Sequence, residues 1–424
     1  MPTAKHMTLS EKIIARAAGV DSVKPGQIVT CQVDLAMMHD SSGPRMAGKK
    51  LDELGAPVWD MSKLVVITDH YVNEPDEASK AMQRQADEWC SRHDVQHFIR
   101  DQGICHIVLP EGGHVKPGMF CVGADSHSAT AGAFGAFMVG VGSTEMTGVL
   151  ATGEIWVRMP ETVKINVTSE LGSGVMAKDV DLWLCGHLGI MGCGYQVTEY
   201  TGKGVQAMSV QERMTLCNMA AELGAKTGIV AADEKTSDAL DEWGAGEVDW
   251  KAWQSDAGAT YARTVKVEGA KLAPQVAAPS SPENAADVAE HAGTPVAQAY
   301  LGACTGAKLD DLRLATKVVK GRKIKEGMRF FVAPSSYRMR DEAEEEGILK
   351  VFEDAGAQIL PSSCGACIGL GAARLADDMT GISSTNRNFV GRAGPRSSKL
   401  YLASPVTVAA AALTGEITDP REFL

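Results

Sequence analysis

The chain has 424 residues, of which 45% are hydrophobic and 22% charged, and its formal net charge at pH 7 is −12. This length exceeds what one hydrophobic core normally serves, so it predicts two to four domains of ordinary globular composition. The negative charge argues against a nucleic-acid groove, which would need clustered lysines and arginines along the phosphates.

The N-terminal residues lack the apolar core of a signal peptide, and no run of the chain approaches the ~18 apolar residues of a membrane span. The ten cysteines are scattered, unlike those of a dense disulfide scaffold. We therefore expect a cytoplasmic protein that does not contact membranes. Most of its cysteines should be small buried side chains, and a few could be ligands.

The first part of the chain predicts helices alternating with buried strands. Residues 8–19 predict a helix with Ser10 as its cap. Apolar runs at KLVVITDH (63–70), HIVLP (106–110) and GMFCVGADSH (118–127) predict strands that are buried on both faces, as in a parallel sheet. Ligands of such sheets gather beyond the carboxyl ends of the strands, so the polar residues there are candidate site residues.

Two further units follow in the pattern. PETVKINV (160–167) predicts a strand that opens a second unit, and residues 209–225 predict a helix. The Pro-, Ala- and Ser-rich segment 268–296 predicts the connection to a third unit. The predicted fold class is α/β, with three domains at residues 1–159, 160–285 and 286–424.

SSCGACIG (362–369) contains the only C-x-x-C motif of the chain, Cys364 and Cys367. A structural zinc site would need a second such pair or two histidines nearby, and none follows. Cys304 lies alone in a small-residue turn, YLGACTG, and could complete a set of three thiolates for a four-iron cluster with one open iron. From spacing alone, a metal or cluster site, a redox dithiol and inert cysteines all remain open.

The chain as a whole resembles the aconitase superfamily, and within it the separately encoded large subunits of 3-isopropylmalate dehydratase and homoaconitase. The resemblance extends from VDLAMMHDSSGP (33–44) to TGEITDP (414–420). It implies aconitase-like α/β domains around a central cleft, with the cluster cysteines in the third. The strings that carry it occur in the order ITDH (67–70), CHIVLPE (105–111), GADSH (123–127), NMAAELGAKTGIV (218–230), CTG, CGACIG, NRNFVGR (386–392) and YLASPVTVAAA (401–411).

The resemblance implies a role for twelve residues. The implied ligands of one [4Fe–4S] cluster with an open iron are Cys304, Cys364 and Cys367. The implied catalytic residues form three charge-coupled pairs, in which a carboxylate orients a histidine that exchanges a proton near neutrality: Asp69–His70, His106–Asp125 and His127–Glu222. The implied substrate-binding residues, in which the planar arginines suit carboxylates, are Ser126, Arg387 and Arg392.

The implied activity is that of a hydro-lyase that dehydrates and rehydrates a 2-hydroxy di- or tricarboxylate. The favoured substrate is 3-isopropylmalate, in leucine biosynthesis, and the alternatives are the substrates of homoaconitase or a 2,3-dimethylmalate dehydratase. In the family, a serine on a fourth, swivelling domain is the base. Because the chain ends after its third unit, we expect that domain to be a separate small subunit, with no nucleic acid or membrane as partner.

Three positions depart from the family pattern, because Gly306 replaces a usual asparagine, and Ala124 and Ala131 replace larger residues. These departures border the implied cleft, so they concern the identity of the substrate. Two rival interpretations are an RNA-binding iron sensor, which the acidic charge opposes, and a dithiol redox protein, which leaves the histidine and arginine motifs unexplained. Taken singly, the Asp-His pair and the arginines would be ordinary surface groups, and only the joint pattern favours catalysis.

Overall fold

The computed structural model of the chain describes residues 6–72 and 76–424. Residues 1–5, the start of the stretch that lacks a signal-peptide pattern, lie outside the described residues. Within the described ranges, no helix is both long and apolar enough to cross a membrane.

The described part of the chain forms eighteen strands, and most of their pairings are parallel. In chain order they are β1 (Ile28–Gln32), β2 (Leu35–His39), β3 (Leu64–Thr68), β4 (His97–Arg100), β5 (Phe120–Gly123), β6 (Phe137–Gly140), β7 (Glu154–Arg158), β8 (Thr162–Val167), β9 (Val197–Thr201), β10 (Thr227–Ile229), β11 (Arg263–Val267), β12 (Gln275–Ala277), β13 (Ala285–Asp287), β14 (Gln298–Leu301), β15 (Arg329–Val332), β16 (Gln358–Ile359), β17 (Thr380–Ser383) and β18 (Lys399–Ala403).

The same residues form fourteen α-helices, several of which begin at a Ser, Thr or Asp that accepts a hydrogen bond from the first turn. In chain order they are α1 (Leu9–Ala17), α2 (Lys49–Leu54), α3 (Glu77–Arg92), α4 (Cys105–Glu111), α5 (Ser143–Thr152), α6 (Ala177–Leu188), α7 (Lys203–Ala207), α8 (Val210–Met219), α9 (Glu234–Glu242), α10 (Val288–His291), α11 (Leu309–Val319), α12 (Tyr337–Glu345), α13 (Ile348–Ala355) and α14 (Pro405–Thr414).

The strands form three larger sheets and one antiparallel ribbon of β1 and β7. A five-stranded sheet (order β4-β3-β2-β5-β6) and a four-stranded sheet (order β10-β9-β8-β11) are parallel throughout. The third sheet has seven strands in the order β13-β12-β18-β17-β14-β15-β16, and only its β13-β12-β18 end is antiparallel. Buried parallel strands with helices between them confirm the predicted α/β class.

The three larger sheets use successive parts of the chain. The five-stranded sheet lies within residues 35–140, the four-stranded sheet within 162–267 and the seven-stranded sheet within 275–403. The predicted connection at 268–296 contains β12, β13 and α10, and β12 joins the seven-stranded sheet although it precedes residue 286. The division into domains at 160 and 286 stays a prediction.

The segment HIVLP (106–110) lies in helix α4, so its prediction as a strand is wrong. Residues 105–110 are all buried, and continuous burial produces the same apolar run in a core helix as in a buried strand. Ile104 at the helix start has no side-chain acceptor, and instead the N–H of Cys105 donates to Oδ2 of Asp69 at 2.8 Å. The carboxylate that stabilises this helix start is therefore supplied by a distant residue at the end of β3.

Helix α1 confirms the predicted first helix but not its cap. Oγ1 of Thr8 accepts from the N–H of Glu11, and the Glu11 carboxylate accepts from the N–H of Thr8. Because of this reciprocal capping box, the cap of the helix is Thr8 and not the predicted Ser10. Ser10 is buried within the first turn. The predicted strand at 160–167 and helix at 209–225 correspond to β8 and α8.

Glu111, at the end of α4, is a mostly buried carboxyl whose charge the fold disfavours. Burial raises its pKa to about 7 from an ordinary 4.5, although Ser336 donates a hydrogen bond to it at 2.8 Å. The folded chain therefore holds this proton more tightly than the unfolded chain. The resulting contribution to stability is fully present below pH 4.5 and is lost as the pH rises through about 7.

We expect Glu111→Gln to raise the free energy of unfolding at pH 8 by up to about 3 kcal/mol, because the variant has no charge to bury. The gain should shrink as the pH falls to 5, where the wild-type carboxyl is already protonated. Urea unfolding at a series of pH values measures both. Glu353→Gln, which removes a charge from an exposed site on α13, should show no such dependence, and an equal gain in both variants would contradict the prediction.

Candidate active site

Four acidic and histidine side chains follow adjacent parallel strands of the five-stranded sheet. Asp40 follows β2, Asp69 and His70 follow β3, and Asp125 follows β5. Because the carboxyl ends of parallel strands lie at one edge of a sheet, these groups meet there. The sequence signal at KLVVITDH and GADSH is thereby explained by the topology.

The cysteine loops follow strands of the seven-stranded sheet. Cys304 follows β14. Cys364 and Cys367 follow β16, with Cys364 at the start of a short 3-10 helix (Gly365–Ile368) and Cys367 within it. The N–H of Cys364 donates to the carbonyl of Asp69 at 2.7 Å. This bond joins the C-x-x-C loop directly to the polar edge of the five-stranded sheet.

Two asparagines hold the thiols together. Nδ2 of Asn218 donates to Sγ of Cys304 at 3.1 Å, and Oδ1 of Asn386 lies 3.6 Å from that sulfur and 3.8 Å from Sγ of Cys367. The two amides also bond to each other, Asn386 to Asn218, at 2.5 Å. Both asparagines are fully buried, so the thiols share one polar pocket inside the protein.

The thiols of this pocket are free and could hold a metal or a cluster. All ten cysteines are unpaired, and the seven outside the pocket are buried, as predicted. Burial raises the pKa of Cys304 to about 12, and the neighbouring Cys367 adds to the rise. Removing the proton from Cys304 therefore requires a positive partner, which bound iron or another metal supplies.

Asp69 and His70 form a tight buried pair. Nδ1 of His70 bonds to Oδ1 of Asp69 at 2.6 Å, and the backbone N–H of His70 donates to both oxygens of Asp40 at 3.2 Å. Burial by itself raises the pKa of Asp69 and lowers that of His70, but the attraction between the two charged groups shifts both pKa values the other way and is the larger effect. The pKa of Asp69 falls to about 2 and the pKa of His70 is raised well above its usual range.

His39 was not predicted as a site residue, although it lies in the quoted string VDLAMMHDSSGP. Its ring stacks on that of His70, with centroids 4.4 Å apart. Nε2 of His39 bonds to the carbonyl of Ala124 at 3.0 Å, and Nδ1 accepts from the N–H of Ser41 at 3.2 Å. Burial and the nearby His70 lower the pKa of His39, so it is a neutral support for the charged ring above it.

Asp125 connects the second and third predicted pairs. Its Oδ1 bonds to Nε2 of His106 at 2.7 Å and accepts from the backbone N–H of His127 at 2.8 Å. Although burial raises the pKa of Asp125, His106 and His127 together hold it well below its usual range. The ring centroids of the two histidines are 6.0 Å apart.

Glu222 joins the third pair to an arginine. Its Oε1 bonds to Nε2 of His127 at 3.1 Å and accepts from Nε of Arg387 at 2.6 Å. Burial lowers the pKa of His127, but Glu222 and Asp125 raise it to about 9. Asp125 follows β5 of the five-stranded sheet, Glu222 lies just after α8, and Arg387 follows β17 of the seven-stranded sheet. The hydrogen-bonded chain therefore joins distant parts of the fold.

The remaining two predicted residues, Arg392 and Ser126, lie near the same site but make fewer contacts with the other predicted residues. Arg392 is partly buried, and its Nε has no hydrogen-bond partner among residues 6–72 and 76–424. The charge of Arg392 helps to hold the pKa of Cys367 low, so the guanidinium lies near the thiol pocket. Ser126 is exposed between Asp125 and His127.

Two groups of these side chains also have the spacing of cation ligands. The nearest ligand atoms of His39, Asp40, Asp69 and His70 lie within 4.8 Å of one another, and so do those of His106, Asp125 and His127. The hydrogen bonds within each group already occupy the carboxylate oxygens that face the histidines. We therefore interpret both groups as proton-holding networks.

Lys178, on the first turn of α6, was missed by the sequence analysis. Its fully buried ammonium donates to Oγ1 of Thr305 at 3.1 Å and to the carbonyls of Ser384 and Thr385 at 2.6 and 2.7 Å. Burial lowers its pKa to about 8, against the attraction of Cys304. The ammonium therefore links the Cys304 loop to the loop that carries Asn386, and no local sequence pattern marks this role.

Gly306, where the family has asparagine, has no room for a side chain. A Cβ at this position would lie 2.1 Å from Oγ of Ser384. That hydroxyl accepts from the N–H of Gly302 at 2.9 Å and donates to its carbonyl at 3.0 Å. Ser384 thus fills the space beside the Cys304 loop that a side chain at 306 would need.

We expect Gly306→Ala to lower the free energy of unfolding by about 1–3 kcal/mol, the usual cost of overpacking. In the Ser384→Gly background the same change should cost less, because both clashing atoms of Ser384, Oγ and Cβ, are gone and only the carbonyl of Gly302, at 2.9 Å, stays close. Urea unfolding of the four proteins of this cycle measures the coupling. Gly148→Ala in α5, which meets no atom within 4 Å, is the control, and equal costs of Gly306→Ala in both backgrounds would contradict the prediction.

The geometry thus brings the predicted residues together. Comparisons with known proteins concern the chain as a whole. Residues 11–415 match the Aconitase family (aconitate hydratase). The chain is 43% identical to 3-isopropylmalate dehydratase large subunit 1 of Methanopyrus kandleri, over 98% of this chain and 99% of that one. It is 40% identical to a probable methanogen homoaconitase large subunit of Methanothermobacter thermautotrophicus, over 98% of each. A solved structure, aconitase X of Thermococcus kodakaraensis in its holo-form, aligns with a TM-score of 0.49 at 13% identity, over 91% of this chain and 94% of that one.

Proposed function

The chain belongs to the aconitase family, and from this premise we propose that it is the iron–sulfur subunit of a hydro-lyase. Its substrate is a 2-hydroxy di- or tricarboxylate, and the names of the relatives favour 3-isopropylmalate, which dehydration and rehydration would convert to 2-isopropylmalate. One observation carries the proposal. The N–H of Cys364 donates to the carbonyl of Asp69 at 2.7 Å, so the thiol loop lies against the Asp69–His70 pair.

The thiol pocket fits a [4Fe–4S] cluster. Its ligands would be Cys304, Cys364 and Cys367: Cys304 and Cys367 meet at the buried asparagine amides, and the thiol of Cys364 is hydrogen-bonded to that of Cys367. When bound, the cluster would supply an open iron as a Lewis acid for the hydroxyl and one carboxylate of the substrate. The amides of Asn218 and Asn386 support the fit, because Nδ2 of each is a donor near Sγ of Cys304, at 3.1 and 3.6 Å, and could serve a cluster sulfur in the same way.

His70 is the proposed acid for the departing hydroxyl. Its Nδ1 is engaged by Asp69, so Nε2 is the atom left to deliver a proton. Asp69 and Asp40 keep the ring protonated in spite of burial, and neutral His39 supports it from one face without competing for the proton. A carboxylate-held histidine of this kind exchanges its proton with a bound group without large movement.

The arginines are the proposed binders of substrate carboxylates. Nε of Arg387 is bonded to Glu222, which leaves its two terminal nitrogens for a ligand. Nε of Arg392 is a buried donor that lacks a partner within the described residues. A carboxylate between them would satisfy these donors in the planar geometry that guanidinium groups prefer.

His106 and His127 complete the proton network around the substrate. Asp125 bonds to His106, and Glu222 and Asp125 hold His127 with its proton. The described side chains at this site are thus donors or carboxylates that are already paired. We propose that the base, which removes the proton from the neighbouring carbon, comes from outside this chain, from a serine on a swivelling domain.

A separate small subunit is the proposed source of that domain. The relatives at 38–43% identity bear the name large subunit, which supports a small partner. Phe389 and Val390, between the two arginines, are 41% and 51% exposed, and such apolar surface beside a polar site suits a covering protein. We also propose a cytoplasmic location, which the unpaired state of all ten cysteines supports.

The function is tested by assaying the anaerobically prepared complex with its small subunit against a panel of hydroxy acids. The panel contains 3-isopropylmalate, homocitrate and 2,3-dimethylmalate, and the ultraviolet absorbance of the product alkene reports turnover. We expect 3-isopropylmalate to have the highest kcat/KM, since two relatives named for it are 43% and 41% identical to this chain and the homoaconitase relative is 40% identical. Preference for another member would reassign the substrate within the class, and turnover of none would overturn the class.

A further inference from the structure

The hydroxyl of Tyr300 is a buried polar group that the described residues leave unsatisfied. Tyr300 lies on β14, between Phe331 of β15 and Ser383 of β17, and only 4% of its surface is exposed. Its oxygen is buried and has no hydrogen-bond partner within the described ranges. Leaving such a group without a partner costs about 1–3 kcal/mol, so its presence in a well-packed sheet calls for an explanation.

The hydroxyl is held between the two cysteine loops. A Cβ on Gly302, two residues before Cys304, would lie 2.3 Å from the Tyr300 oxygen, so the phenol rests directly on the Cys304 loop. The ring also belongs to a small apolar cluster against which Ala366 packs, and Ala366 lies between Cys364 and Cys367 in the chain.

Interactions with the thiols agree with this placement. Burial raises the pKa of Tyr300, and the charges of Cys367, Cys364 and Cys304 raise it further. The backbone N–H of Ala303 also acts on this oxygen electrostatically but forms no hydrogen bond with it, and an N–H could not accept the proton of the hydroxyl, which therefore still lacks an acceptor.

We propose that Tyr300 donates its O–H proton to a sulfur of the iron–sulfur cluster, either a bridging sulfide or one of the three cysteine thiolates. The inference rests on the proposed function, because it needs a cluster in the thiol pocket. Sulfur on an anionic cluster is the acceptor that the described residues do not supply. Tyr300 is then a positioning residue, which stabilises the cluster and its reduced form without touching the substrate.

A role in packing alone makes a different prediction. If the phenol ring only fills space beside Phe331 and Ala333, phenylalanine at position 300 would serve equally in every state of the protein. If the hydroxyl serves the cluster, Tyr300→Phe should be harmless to the apo chain, where that hydroxyl is unsatisfied. The same change should then alter the properties of the cluster-loaded protein only.

The experiment compares Tyr300→Phe with wild type after anaerobic purification with the cluster in place. Pulsed EPR of the reduced cluster in H2O and D2O detects an exchangeable proton close to the iron and sulfur, and we expect Tyr300→Phe to lose one such coupling. Because a hydrogen bond stabilises the more negative reduced cluster, we expect the equilibrium constant for reduction to fall about tenfold, which is about 59 mV for one electron.

Tyr200→Phe is the matched control, since Tyr200 is a fully buried tyrosine whose hydroxyl bonds to Asp181 at 3.3 Å. It should leave both the coupling and the potential unchanged. An unchanged coupling and potential in Tyr300→Phe, or an apo Tyr300→Phe chain that fails to fold, would overturn the inference alone. A wild-type protein that binds no cluster would overturn the proposed function together with it.

Discussion

Replacing Cys304 by alanine is expected to leave the protein without its iron–sulfur cluster and without measurable dehydration. Cys304 is the only ligand that the first cysteine loop would contribute, and Cys364 and Cys367 alone would leave two irons without a protein ligand. Cys304 is 2% exposed, so alanine at this position would leave a buried gap where the third thiolate would bind. Iron and sulfide analysis, with about four of each per wild-type chain expected, and the brown absorbance measure the loss.

Cys185→Ala is the matched control for this prediction. Cys185 is fully buried in α6, so the change also removes a core thiol, but it lies outside the thiol pocket. We expect this variant to lose some stability and to keep its full iron content. Equal iron in Cys304→Ala and wild type would show that the third ligand lies elsewhere and would reopen the redox-dithiol interpretation.

Replacing His70 by asparagine is expected to lower kcat/KM for dehydration about 100- to 10,000-fold, the usual cost of losing a positioned general acid. The asparagine amide retains a donor near Asp69, in place of Nδ1, so the pair stays bonded while the proton at Nε2 is lost. Activity of the complex at saturating and limiting substrate measures the effect, and the iron content shows whether the cluster is kept.

His93→Asn is a matched control, because His93 bonds to Asp52 at 2.7 Å in a histidine–carboxylate pair outside the site. Its removal deletes the same kind of interaction with no expected effect on turnover. If His70→Asn keeps wild-type kcat/KM, the proton must come from another group, and His106 would be the next candidate because it is held by Asp125 in the same network.

The site balances its charges locally, because the four carboxylates of Asp40, Asp69, Asp125 and Glu222 face the four cationic groups of His70, His127, Arg387 and Arg392. The chain as a whole has a formal net charge of −12, yet each carboxylate described at the site is paired with a histidine or an arginine. The raised pKa values of His70 and His127 keep both rings protonated at neutral pH. Together with Arg387 and Arg392 they provide cationic donors for an anionic substrate in an otherwise acidic protein.

The local pattern was sufficient where burial and chain direction decided the structure. Continuous apolar runs correctly predicted β3 and β5, and the string PETVKINV correctly predicted β8. The rule that ligands gather beyond strand ends made the polar residues after β3 and β5, among them Asp69, His70 and Asp125, candidate site residues. The pattern failed at α4, because a short run with every residue buried has no period of its own. Its helical form depends on the carboxylate of Asp69, which arrives from another strand.

The α/β class and the chemically active residue types could be predicted without the structure, because they depend on which residues occur and in what order along the chain. The tertiary structure alone decided which of them meet. Asn386 bonds to Asn218, 168 residues away in the chain, and Lys178 bonds to Ser384, 206 residues away. Gly306 has no room for a side chain because Ser384 occupies the space beside it. Such pairs depend on how the three sheets pack against one another. The local sequence around a residue does not determine which residue of another sheet it contacts.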